Sequence, residues 1–598
     1  MNKNKYRHFG IPLVIPFMKP YRKRILLMVF LGILSSLIDS VYPLFNRYVL
    51  DNIIISKTLA TLPSVILLYI ALLLFQVWDN YFTTYTCSRL ELWMDRDLRN
   101  KAFTHLQTLS FSYFNRHNVG YIHSRIMSDT GRIGELVSWR LMDIVWNLSY
   151  IICVILVMLF TNIKLALVII LLIPLAVAVI VFFQKKLIPL NRRVREINST
   201  ITGDYNEGIT GIHTIKTLVA EDRMNSGFRA DTSEMEKTSV RTAHHSSLFK
   251  SSMTFISYFA LALVLWQGGK LTIENLMFIG TLSVFMTYAL DILEPIQNTI
   301  NTISVLITIQ VNIERLINLL NTESDVKDSK EVIEKYGDIF SPKYENWEEL
   351  EGDIEFRNVS FIYPDGNEYV LKNFNLKIPY GTNIAIVGET GAGKSTLVNL
   401  VCRFYEPTKG QILIDGRDAR ERSQSWLHHH LGYVLQTPHL FTGTIRENLI
   451  YGKPDATDED IMNALKTVFA EDIVNRMEDG LDSDIGEGGN MLSTGERQLL
   501  SFARAILADP KILVLDEATS SIDTMTEKKI QNAIAALIKG RTSFVIAHRL
   551  STVVDADIIL AVKDGKIAEK GTHKELMDLK GYYYELYTSQ YIDSLKDI

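Results

Sequence analysis

The residue types best suited to phosphate chemistry follow an apolar run, Ile-Ala-Ile-Val, at residues 384–387. The next nine residues are Gly388, Glu389, Thr390, Gly391, Ala392, Gly393, Lys394, Ser395 and Thr396. Glycines let backbone N–H groups approach phosphates closely, and a helix N-terminus attracts anions. We expect Lys394 to reach the β- and γ-phosphates of a nucleotide and the Ser395 hydroxyl to ligate Mg²⁺. The pattern predicts a P-loop between a strand and a helix, and a chance glycine-rich turn is the alternative.

Two carboxylates end a second apolar run. Residues 512–517 read Ile-Leu-Val-Leu-Asp-Glu, which predicts a buried strand. We expect Asp516 to hold Mg²⁺ through water and Glu517 to accept a proton from a water that attacks the γ-phosphate. Taken alone, two acidic residues after a strand are typical of the N-terminus of a helix, which is the alternative interpretation. Downstream of a P-loop, the pair favours a catalytic role.

The elements that position these residues belong to one of two halves with opposite charge. Over all 598 residues the composition is average, with 47% apolar residues and a net charge of −5, which excludes collagen-like and low-complexity chains and gives no reason to expect a nucleic-acid partner. Cys87, Cys153 and Cys402 are too far apart for a CxxC metal site or a disulfide framework. Residues 1–322 hold 31 basic and 21 acidic side chains, whereas residues 323–598 hold 31 basic and 46 acidic side chains. A basic, charge-poor half therefore precedes an acidic half of soluble composition.

The basic half contains six apolar runs, which predict six membrane-spanning helices. They are residues 25–38, 59–78, 144–163, 165–184, 251–269 and 275–290. Four of them have the roughly 20 residues that cross a bilayer, whereas the first and last reach this length only if Asp39 or Asp291 lies in or at the edge of the membrane. A buried core helix is the alternative for a short run. Asp39 and Asp291 are candidates for substrate or proton contact, or they face water at a span end.

The distribution of Lys and Arg predicts the orientation. With the N-terminus inside, 27 of the 31 basic residues of this half lie on the cytoplasmic side, and the outer connections carry only Arg47, Lys57, Lys164 and Lys270. We expect a cell-membrane protein whose N-terminus and second half are cytoplasmic. The predicted domains are a cytosolic segment at 1–24, a six-span domain at 25–321, a polar acidic linker at 322–352 and a second domain at 353–598.

The two inner connections, residues 88–140 and 186–249, are long for loops. They carry periodic apolar positions and few Gly or Pro residues, and structureless loops of this length are rare in compact proteins. We therefore expect both to be helices that continue from the membrane spans into the cytosol.

Further motifs surround the two phosphate motifs in a fixed order. They are Phe-Ile-Tyr-Pro at 361–364, Tyr-Val-Leu-Gln at 433–436, Asp-Ile-Gly-Glu-Gly-Gly at 484–489, Leu-Ser-Thr-Gly-Glu-Arg-Gln at 492–498, Ser-Ile-Asp at 521–523 and Ala-His-Arg-Leu at 547–550. Together the motifs resemble those of the ATP-binding cassette (ABC) transporters over residues 353–585. The resemblance implies ATP and Mg²⁺ as cofactors.

The resemblance also assigns roles to individual residues. It implies that Tyr363 stacks on adenine and that His548 acts beside Glu517 at the γ-phosphate. The other nucleotide contacts that it implies are Gln436, Ser493, Gly495 and Asp523. The metal contacts would be Ser395, Gln436 and Asp516.

The first half resembles the six-helix membrane domain of exporter-type ABC proteins. Residues 114–125 and 206–216 are similar to the first and second intracellular loops of that domain. The implied fold class is multidomain, with an all-α six-helix transmembrane domain and an α/β P-loop nucleotide-binding domain. The chain would be a half-transporter, and two chains are needed because the signature of one subunit completes the ATP site of the other.

The signature departs from the family's usual Leu-Ser-Gly-Gly-Gln at two positions. Thr494 stands at the third and Glu496 at the fifth, whereas Ser493 and Gly495 are retained. A Cβ near a phosphate-binding loop and a negative charge beside ATP would both weaken a site. We favour a heterodimer with one weakened ATP site. Tolerated drift in a homodimer is the alternative.

The sequence therefore predicts half of an ATP-hydrolysing exporter. It would move an amphipathic or hydrophobic small molecule, a lipid or a peptide across the membrane by alternating access. A homodimeric multidrug or lipid exporter, an importer on the same fold and an ABC ATPase without transport are the alternatives. Three successive histidines at 428–430 do not suit one metal ion, and we expect a solvated loop or helix end there.

Overall fold

The computed structural model describes residues 11–55, 60–516, 524–546 and 553–596. The chain divides into two compact units. We name them the helical unit, Met1–Leu106 with Gly120–Asn321, and the α/β unit, Gln107–Val119 with Thr322–Ile598. The predicted fold class, an all-α six-helix domain followed by an α/β domain, is confirmed.

Long apolar helices build the helical unit. Within the described residues, six helical segments are long and apolar enough to cross a membrane: Pro12–Ile54, Leu62–Gln107, Val119–Thr161, Ile163–Thr210, Glu221–Ile273 and Ile279–Asn321. Each of the six predicted apolar runs falls mainly in a different segment, so the predicted number of spans is confirmed. The first twelve α-helices of the chain are α1 (Ile11–Met18), α2 (Arg22–Val49), α3 (Leu62–Gln107), α4 (Phe111–Arg116, in the α/β unit), α5 (Val119–His123), α6 (Thr130–Glu135), α7 (Leu141–Thr161), α8 (Ile163–Thr210), α9 (Ile212–Thr217), α10 (Glu221–Ile273), α11 (Ile279–Asp291) and α12 (Leu293–Asn321).

Several of these helices are longer than a bilayer requires. Helix α8 has 48 residues and α10 has 53. At a rise of 1.5 Å per residue, α8 is about 72 Å long, whereas the hydrocarbon core of a membrane is about 30 Å thick. The prediction that the two long connections are mainly helical is therefore confirmed.

Buried side chains hold the helical unit together. An apolar core is shared by α7, α8, α10 and α11, and it includes Val154, Leu165 and Val264. The buried hydroxyl of Tyr288 donates a hydrogen bond to the Ser40 carbonyl oxygen on α2 at 2.5 Å. A Cβ at Gly280 would lie 2.5 Å from the Arg47 carbonyl oxygen, so the start of α11 packs against the end of α2 only with glycine there.

The α/β unit contains three sheets. A six-stranded sheet has the order β12-β11-β5-β10-β9-β8, a four-stranded sheet has the order β4-β3-β6-β7, and β1 pairs with β2. The strands are β1 (Gly337–Asp338), β2 (Ser341–Pro342), β3 (Ile354–Phe361), β4 (Leu371–Ile378), β5 (Asn383–Val387), β6 (Lys409–Ile414), β7 (Arg417–Asp418), β8 (Leu431–Val434), β9 (Ile512–Asp516), β10 (Thr542–Ile546), β11 (Ile558–Lys563) and β12 (Lys566–Gly571). The helices are α13 (Lys330–Tyr336), α14 (Lys394–Val401), α15 (Gln424–His429), α16 (Ile445–Ile450), α17 (Asp458–Thr467), α18 (Glu471–Arg476), α19 (Thr494–Leu507), α20 (Thr524–Ile538), α21 (His573–Leu579) and α22 (Tyr582–Lys596).

Both faces of the six-stranded sheet are covered. Alternate residues of its central strands face two different apolar cores, as Ile384 and Ala385 of β5 illustrate. Strands β8, β9, β10, β5 and β11 are parallel, and only β12 runs antiparallel to its neighbour. Because parallel strands end at the same edge, the residues that follow β5, β8, β9 and β10 gather along one edge of the sheet.

Residues 322–352, the predicted linker, fold onto the α/β unit. Asp328 forms an ion pair with the buried guanidinium of Arg403 at 2.8 Å. The Trp426 indole donates a hydrogen bond to the Glu348 carbonyl oxygen, also at 2.8 Å. The carboxylate of Asp415 accepts hydrogen bonds from the backbone N–H groups of residues 351–353 at 2.9 Å each. The polar composition of this segment therefore supplies contacts to the fold.

Candidate nucleotide site

Residues 388–393 form a loop between β5 and α14 whose path requires glycine. Gly393 precedes the first residue of α14 with a φ of +104°, in the left-handed region that other residues disfavour. A Cβ at Gly388 would lie 2.3 Å from the Val562 carbonyl oxygen. The first turn of α14 presents backbone N–H groups that have no intrahelical acceptor, and such groups suit an anion.

The side chain of Lys394 folds back over this loop. Its Nζ atom donates hydrogen bonds to the carbonyl oxygens of Gly388 at 2.6 Å and Glu389 at 2.9 Å. Burial lowers the pKa of Lys394, and the nearby Asp516 carboxylate acts in the opposite direction. The Lys394 ammonium group is thus held against the first residues of the loop, where the negative charge of a phosphate would compensate it.

Asp516 lies at the same edge of the sheet as the glycine-rich loop. It is the last residue of β9, and β10 separates β9 from β5. In the sheet register, Ile546 of β10 pairs with Asp516 on one side and with Ile386 of β5 on the other. The fold therefore places the carboxylate of Asp516 beside the loop that carries Lys394, although the sequence separates them by more than a hundred residues.

Tyr363 is tied to the helix that follows the loop. Its hydroxyl lies 2.8 Å from Oγ1 of the buried Thr396. Its ring packs edge-on against Phe361 and Tyr405, with ring centroids 4.8 and 5.1 Å away. Ser395, one residue before Thr396, is exposed. The structure thus brings together an aromatic ring, an exposed hydroxyl, an ammonium group and a carboxylate around one loop.

Comparison with known proteins decides the family. The model of the ABC transporter transmembrane region matches residues 25–295, and the ABC transporter model matches residues 371–520. The putative multidrug export ATP-binding/permease protein YgaD of Bacillus subtilis is 33% identical over 584 residues, covering 96% of this chain and 98% of the relative. This chain belongs to the ABC transporters. Its pairing of one membrane region with one ATPase domain makes it an exporter-type half-transporter, a multi-pass membrane protein that binds ATP and couples ATP hydrolysis to transport.

Other ABC transporters match over similar lengths. The ATP-dependent lipid A-core flippase of Desulfotalea psychrophila is 34% identical over 571 residues, covering 96% of this chain and 97% of the relative. The uncharacterized ABC transporter ATP-binding protein YfiC of Bacillus subtilis is 32% identical over 571 residues, covering 95% of this chain and 92% of the relative. The similarity therefore extends over nearly the whole chain.

The signature of this ABC transporter starts a helix. Ser493 caps α19, and its hydroxyl accepts a hydrogen bond from the Glu496 N–H group at 3.3 Å. The Glu496 carboxylate accepts in return from the Ser493 N–H group at 2.9 Å, which completes a capping box. Gly495 is buried in the first turn. Ser493 thus bonds within its own helix turn rather than with the glycine-rich loop.

Both unusual signature residues have partners in this chain. Arg476 donates a hydrogen bond to Glu496 at 2.8 Å, and Arg497 donates to the Thr494 hydroxyl at 3.2 Å. Burial acts to raise the pKa of Glu496, but the bonds from Ser493 and Arg476 outweigh it and hold the pKa below its usual value. Sequence reasoning missed Arg476. The capping-box spacing of Ser493 and Glu496 was the available signal for a role of Glu496.

Three of the proposed site residues lie outside the described residues. They are Glu517, Asp523 and His548. The strands that precede two of them end at Asp516 and Ile546, at the edge that carries the glycine-rich loop. Gln436 follows β8 at that same edge and is exposed.

Helix α4, whose last three residues belong to the predicted first intracellular loop, packs within the α/β unit. The Phe111 ring lies 4.2 Å from the Phe404 ring, and Asn115 donates a hydrogen bond to the Tyr405 hydroxyl at 2.9 Å. Arg116 forms an ion pair with Asp325 at 3.0 Å. A cavity of about 510 Å³ lies between α4 and Tyr363. No sequence motif indicated Tyr405, whose ring contacts Tyr363 and whose hydroxyl contacts α4.

Two of the three successive histidines bond to the backbone. His428 Nε2 lies 2.9 Å from the Cys402 carbonyl oxygen, and His430 Nδ1 lies 2.8 Å from the Trp426 carbonyl oxygen. Burial lowers the pKa of both imidazoles. The three histidines lie at the end of α15, so the predicted helix end is confirmed, with His429 exposed and His428 and His430 partly buried.

Proposed function

We propose that this ABC half-transporter pairs with a second half-transporter and exports an amphipathic or hydrophobic molecule from the cytoplasm, with ATP and Mg²⁺ bound at residues 388–396 and Asp516. The observation that carries the assignment of the site is the placement of Lys394 and Asp516 at one edge of the sheet, around a loop that requires glycine. The phosphates need a cation and hydrogen-bond donors together, and this edge supplies both.

The side chains at this edge suit Mg²⁺. Ser395 offers an exposed hydroxyl, and Asp516 and Gln436 offer oxygen atoms at the ends of parallel strands, which is the ligand type that Mg²⁺ prefers. The ion, when bound, neutralises charge on the β- and γ-phosphates. Lys394 would hold the phosphates by charge and hydrogen bonds. The Tyr363 ring would stack on adenine while its hydroxyl keeps it against Thr396.

The catalytic step is assigned to the residues that follow β9 and β10 in the sequence. Glu517 would accept the proton of the attacking water, and His548 would contact the γ-phosphate. Ser493 and Gly495 would meet the ATP held by the partner chain, and Asp523 would lie at that same interface. Closure of two α/β units on two ATP molecules would switch the membrane domain between inward-facing and outward-facing states.

The substrate class is proposed from chemistry and from relatives. One relative is named a putative multidrug export protein and another a lipid A-core flippase. Each membrane helix of the described residues contains an apolar stretch of 18 residues. An amphipathic or hydrophobic small molecule or lipid therefore fits better than a strongly charged solute, and a hydrophobic peptide belongs to the same class.

The residues of the signature bear on whether the partner is a different half-transporter or a second copy of this chain. The departures at Thr494 and Glu496 favour a heterodimer, in which this signature contacts one weakened ATP site. The contacts of Glu496 with Ser493 and Arg476 favour the second candidate, a homodimer with two equivalent sites, because they compensate the added charge within this chain.

Replacing the proposed catalytic base tests the assignment of the site. Glu517→Gln removes the proton acceptor but keeps the size of the side chain, so we expect unchanged ATP binding and ATP turnover lowered at least about 100-fold. Radiolabelled ATP binding and phosphate release in proteoliposomes measure the two effects. Glu459→Gln, an exposed change at the start of α17, is the matched control. Normal turnover in the Glu517→Gln protein would contradict the assignment.

Purification of the chain without any other half-transporter tests the partner. A heterodimer predicts weak ATPase activity without positive cooperativity. Full, cooperative activity from this chain alone would refute the heterodimer and support the homodimer.

A further inference from the structure

Two carboxyl groups of the helical unit lie among helices that carry no basic residue at the same level. Residues 25–46 of α2, 62–88 of α3 and 141–161 of α7 contain neither Lys nor Arg. Asp39 lies on α2 and Asp79 on α3. A charged carboxylate inside a membrane domain is costly unless hydrogen bonds or a cation compensate it. Asp39 meets this requirement, whereas Asp79 does not.

Asp39 has a hydrogen-bond donor on each carboxylate oxygen. Its Oδ1 atom accepts from the Gln76 amide at 2.5 Å, and its Oδ2 atom accepts from the Trp146 indole at 3.1 Å. The Tyr42 hydroxyl donates to the other end of the Gln76 amide and fixes its orientation. Two neutral donors, from α3 and α7, thus support Asp39 as an anion, and Tyr42 of α2 orients one of them.

Asp79 has no comparable support. Its side chain is 0% exposed, and neither carboxylate oxygen accepts a hydrogen bond of normal geometry within the part of the chain that the structure describes. The Ser35 hydroxyl of α2 lies beside it, and Asp39 is the ionisable group that acts on it. One helical turn further along α3, the hydroxyl of the buried Thr83 is also without a partner among those residues.

Three circumstances therefore disfavour a negative charge on Asp79. The group is fully buried, the stretches 25–46 of α2 and 62–88 of α3 contain no basic residue, and its ionisable neighbour is another carboxylate. A bound proton removes the charge, whereas a larger cation would require space at a position that is completely enclosed. The occupant that fits the site is a proton.

We propose that Asp79 is a proton-binding site between α2 and α3, occupied in this conformation and emptied when the transport cycle lets water reach it. In the release step, the O–H bond of the Asp79 carboxylic acid breaks and the proton passes to water, which leaves a solvated carboxylate. The bound proton follows from the burial and contacts of Asp79 alone. Its release rests on the alternating-access cycle of the proposed function.

Infrared spectroscopy of the full chain in lipid nanodiscs, without nucleotide, tests the bound proton. A protonated carboxylic acid has a C=O stretching band that a carboxylate lacks. We expect the wild-type spectrum to contain a band that is lost in Asp79→Asn and retained in Asp39→Asn. A spectrum in which Asp79→Asn removes no carboxylic acid band would overturn the proposal.

Asp79→Leu gives a test that does not depend on the folding of the Asn variant. If Asp79 is neutral, a buried apolar side chain of similar size should leave the detergent-solubilised protein monodisperse. If Asp79 were an ion held by a cation, its loss would leave that cation buried and unpaired. Aggregation of Asp79→Leu beside a monodisperse Asp39→Leu would therefore count against the bound proton.

Proton release is measured separately, with a pH-indicator dye in weakly buffered solution while ATP and vanadate trap the closed state. We expect the wild-type protein to acidify the solution and Asp79→Asn to give a smaller signal or none. Equal signals from the two proteins would refute release from Asp79. Failure of the wild-type protein to trap nucleotide would instead refute the proposed ATP-driven cycle, so the two failures can be told apart.

Discussion

At the scale of single residues, Glu496 shows how a departure from a motif can be structural. Its carboxylate caps the first turn of α19 and pairs with Arg476, so its negative charge is balanced inside the chain. A glutamate at the third position of a helix also interacts favourably with the helix dipole. The same side chain that looked harmful to ATP binding therefore helps to shape the loop that holds Ser493.

Substitutions at Glu496 distinguish these two roles. Gln retains the reach of the side chain and can complete the capping box, so Glu496→Gln should leave ATPase activity within about two-fold of wild type. Glu496→Ala should lower the stability of the α/β unit by about 1 kcal/mol and reduce ATPase activity, because the loop before α19 loses its cap. Steady-state ATPase assays and thermal denaturation measure both effects.

The opposite result for Glu496→Gln would restore the weakened-site hypothesis. If the charge of Glu496 impairs an ATP site, its removal should raise ATPase activity several-fold. Glu459→Gln removes a charge from an exposed helix start and serves as the control.

At the scale of elements, α4 is the helix in the connection between the second and third membrane segments that contacts the fold around Tyr363. Asn115 of α4 donates a hydrogen bond to the Tyr405 hydroxyl, and the Tyr405 ring packs edge-on against the Tyr363 ring. Thr396 then joins Tyr363 to the helix of the phosphate loop. A displacement of α4 can thus reach the nucleotide site through packed rings and two hydrogen bonds.

Two substitutions at Tyr405 separate its ring from its hydroxyl. Tyr405→Phe keeps the ring that supports Tyr363 but loses the bond to Asn115, worth about 1 kcal/mol or a factor of about five. We expect an unchanged KM for ATP and a reduced stimulation of ATPase activity by a transported substrate. Tyr405→Ala also removes the packing against Tyr363, so KM for ATP should rise.

Asn115→Ala provides the matched change on the other side of the hydrogen bond. It should reproduce the effect of Tyr405→Phe, and the double variant should be no worse than either single variant. Additive losses in the double variant would show that the bond between Asn115 and Tyr405 carries no coupling.

At the scale of the whole molecule, the distribution of charge sets the expected orientation. The Lys and Arg residues of the first half lie almost entirely in the connections assigned to the cytoplasmic side. The nucleotide site must also face the compartment that contains ATP. The proposed topology places residue 164, between α7 and the body of α8, outside and residue 218, between α9 and α10, inside.

Single cysteines test this topology. Lys164 and Leu218 are both exposed, so Lys164→Cys should react in intact cells with a maleimide that cannot cross membranes, and Leu218→Cys only after permeabilisation. Cys87 and Cys402 are buried, and unsubstituted protein measures the background. The reverse labelling pattern would show that the α/β unit is outside.

The sequence by itself determined the number of spans, the fold classes and the family, because these depend on local patterns. Apolar length predicts a spanning helix, and the glycine-rich run at 388–396 is a contiguous motif. The sequence also suggested that the long connections are helical, since apolar periodicity is a local property. These predictions needed no knowledge of which distant residues meet.

Only the tertiary structure decided which distant residues act on one another. Strand order brings Asp516 beside Lys394. Tertiary packing joins Asn115 to Tyr405 and encloses Asp79, whose carboxylate oxygens accept no hydrogen bond of normal geometry among the described residues. It also gave Glu496 its partner Arg476. Each of these depends on the orientation and burial of side chains far apart in the chain. The free energy of a charge or a hydrogen bond is set by that surrounding space, which spacing along the sequence does not specify.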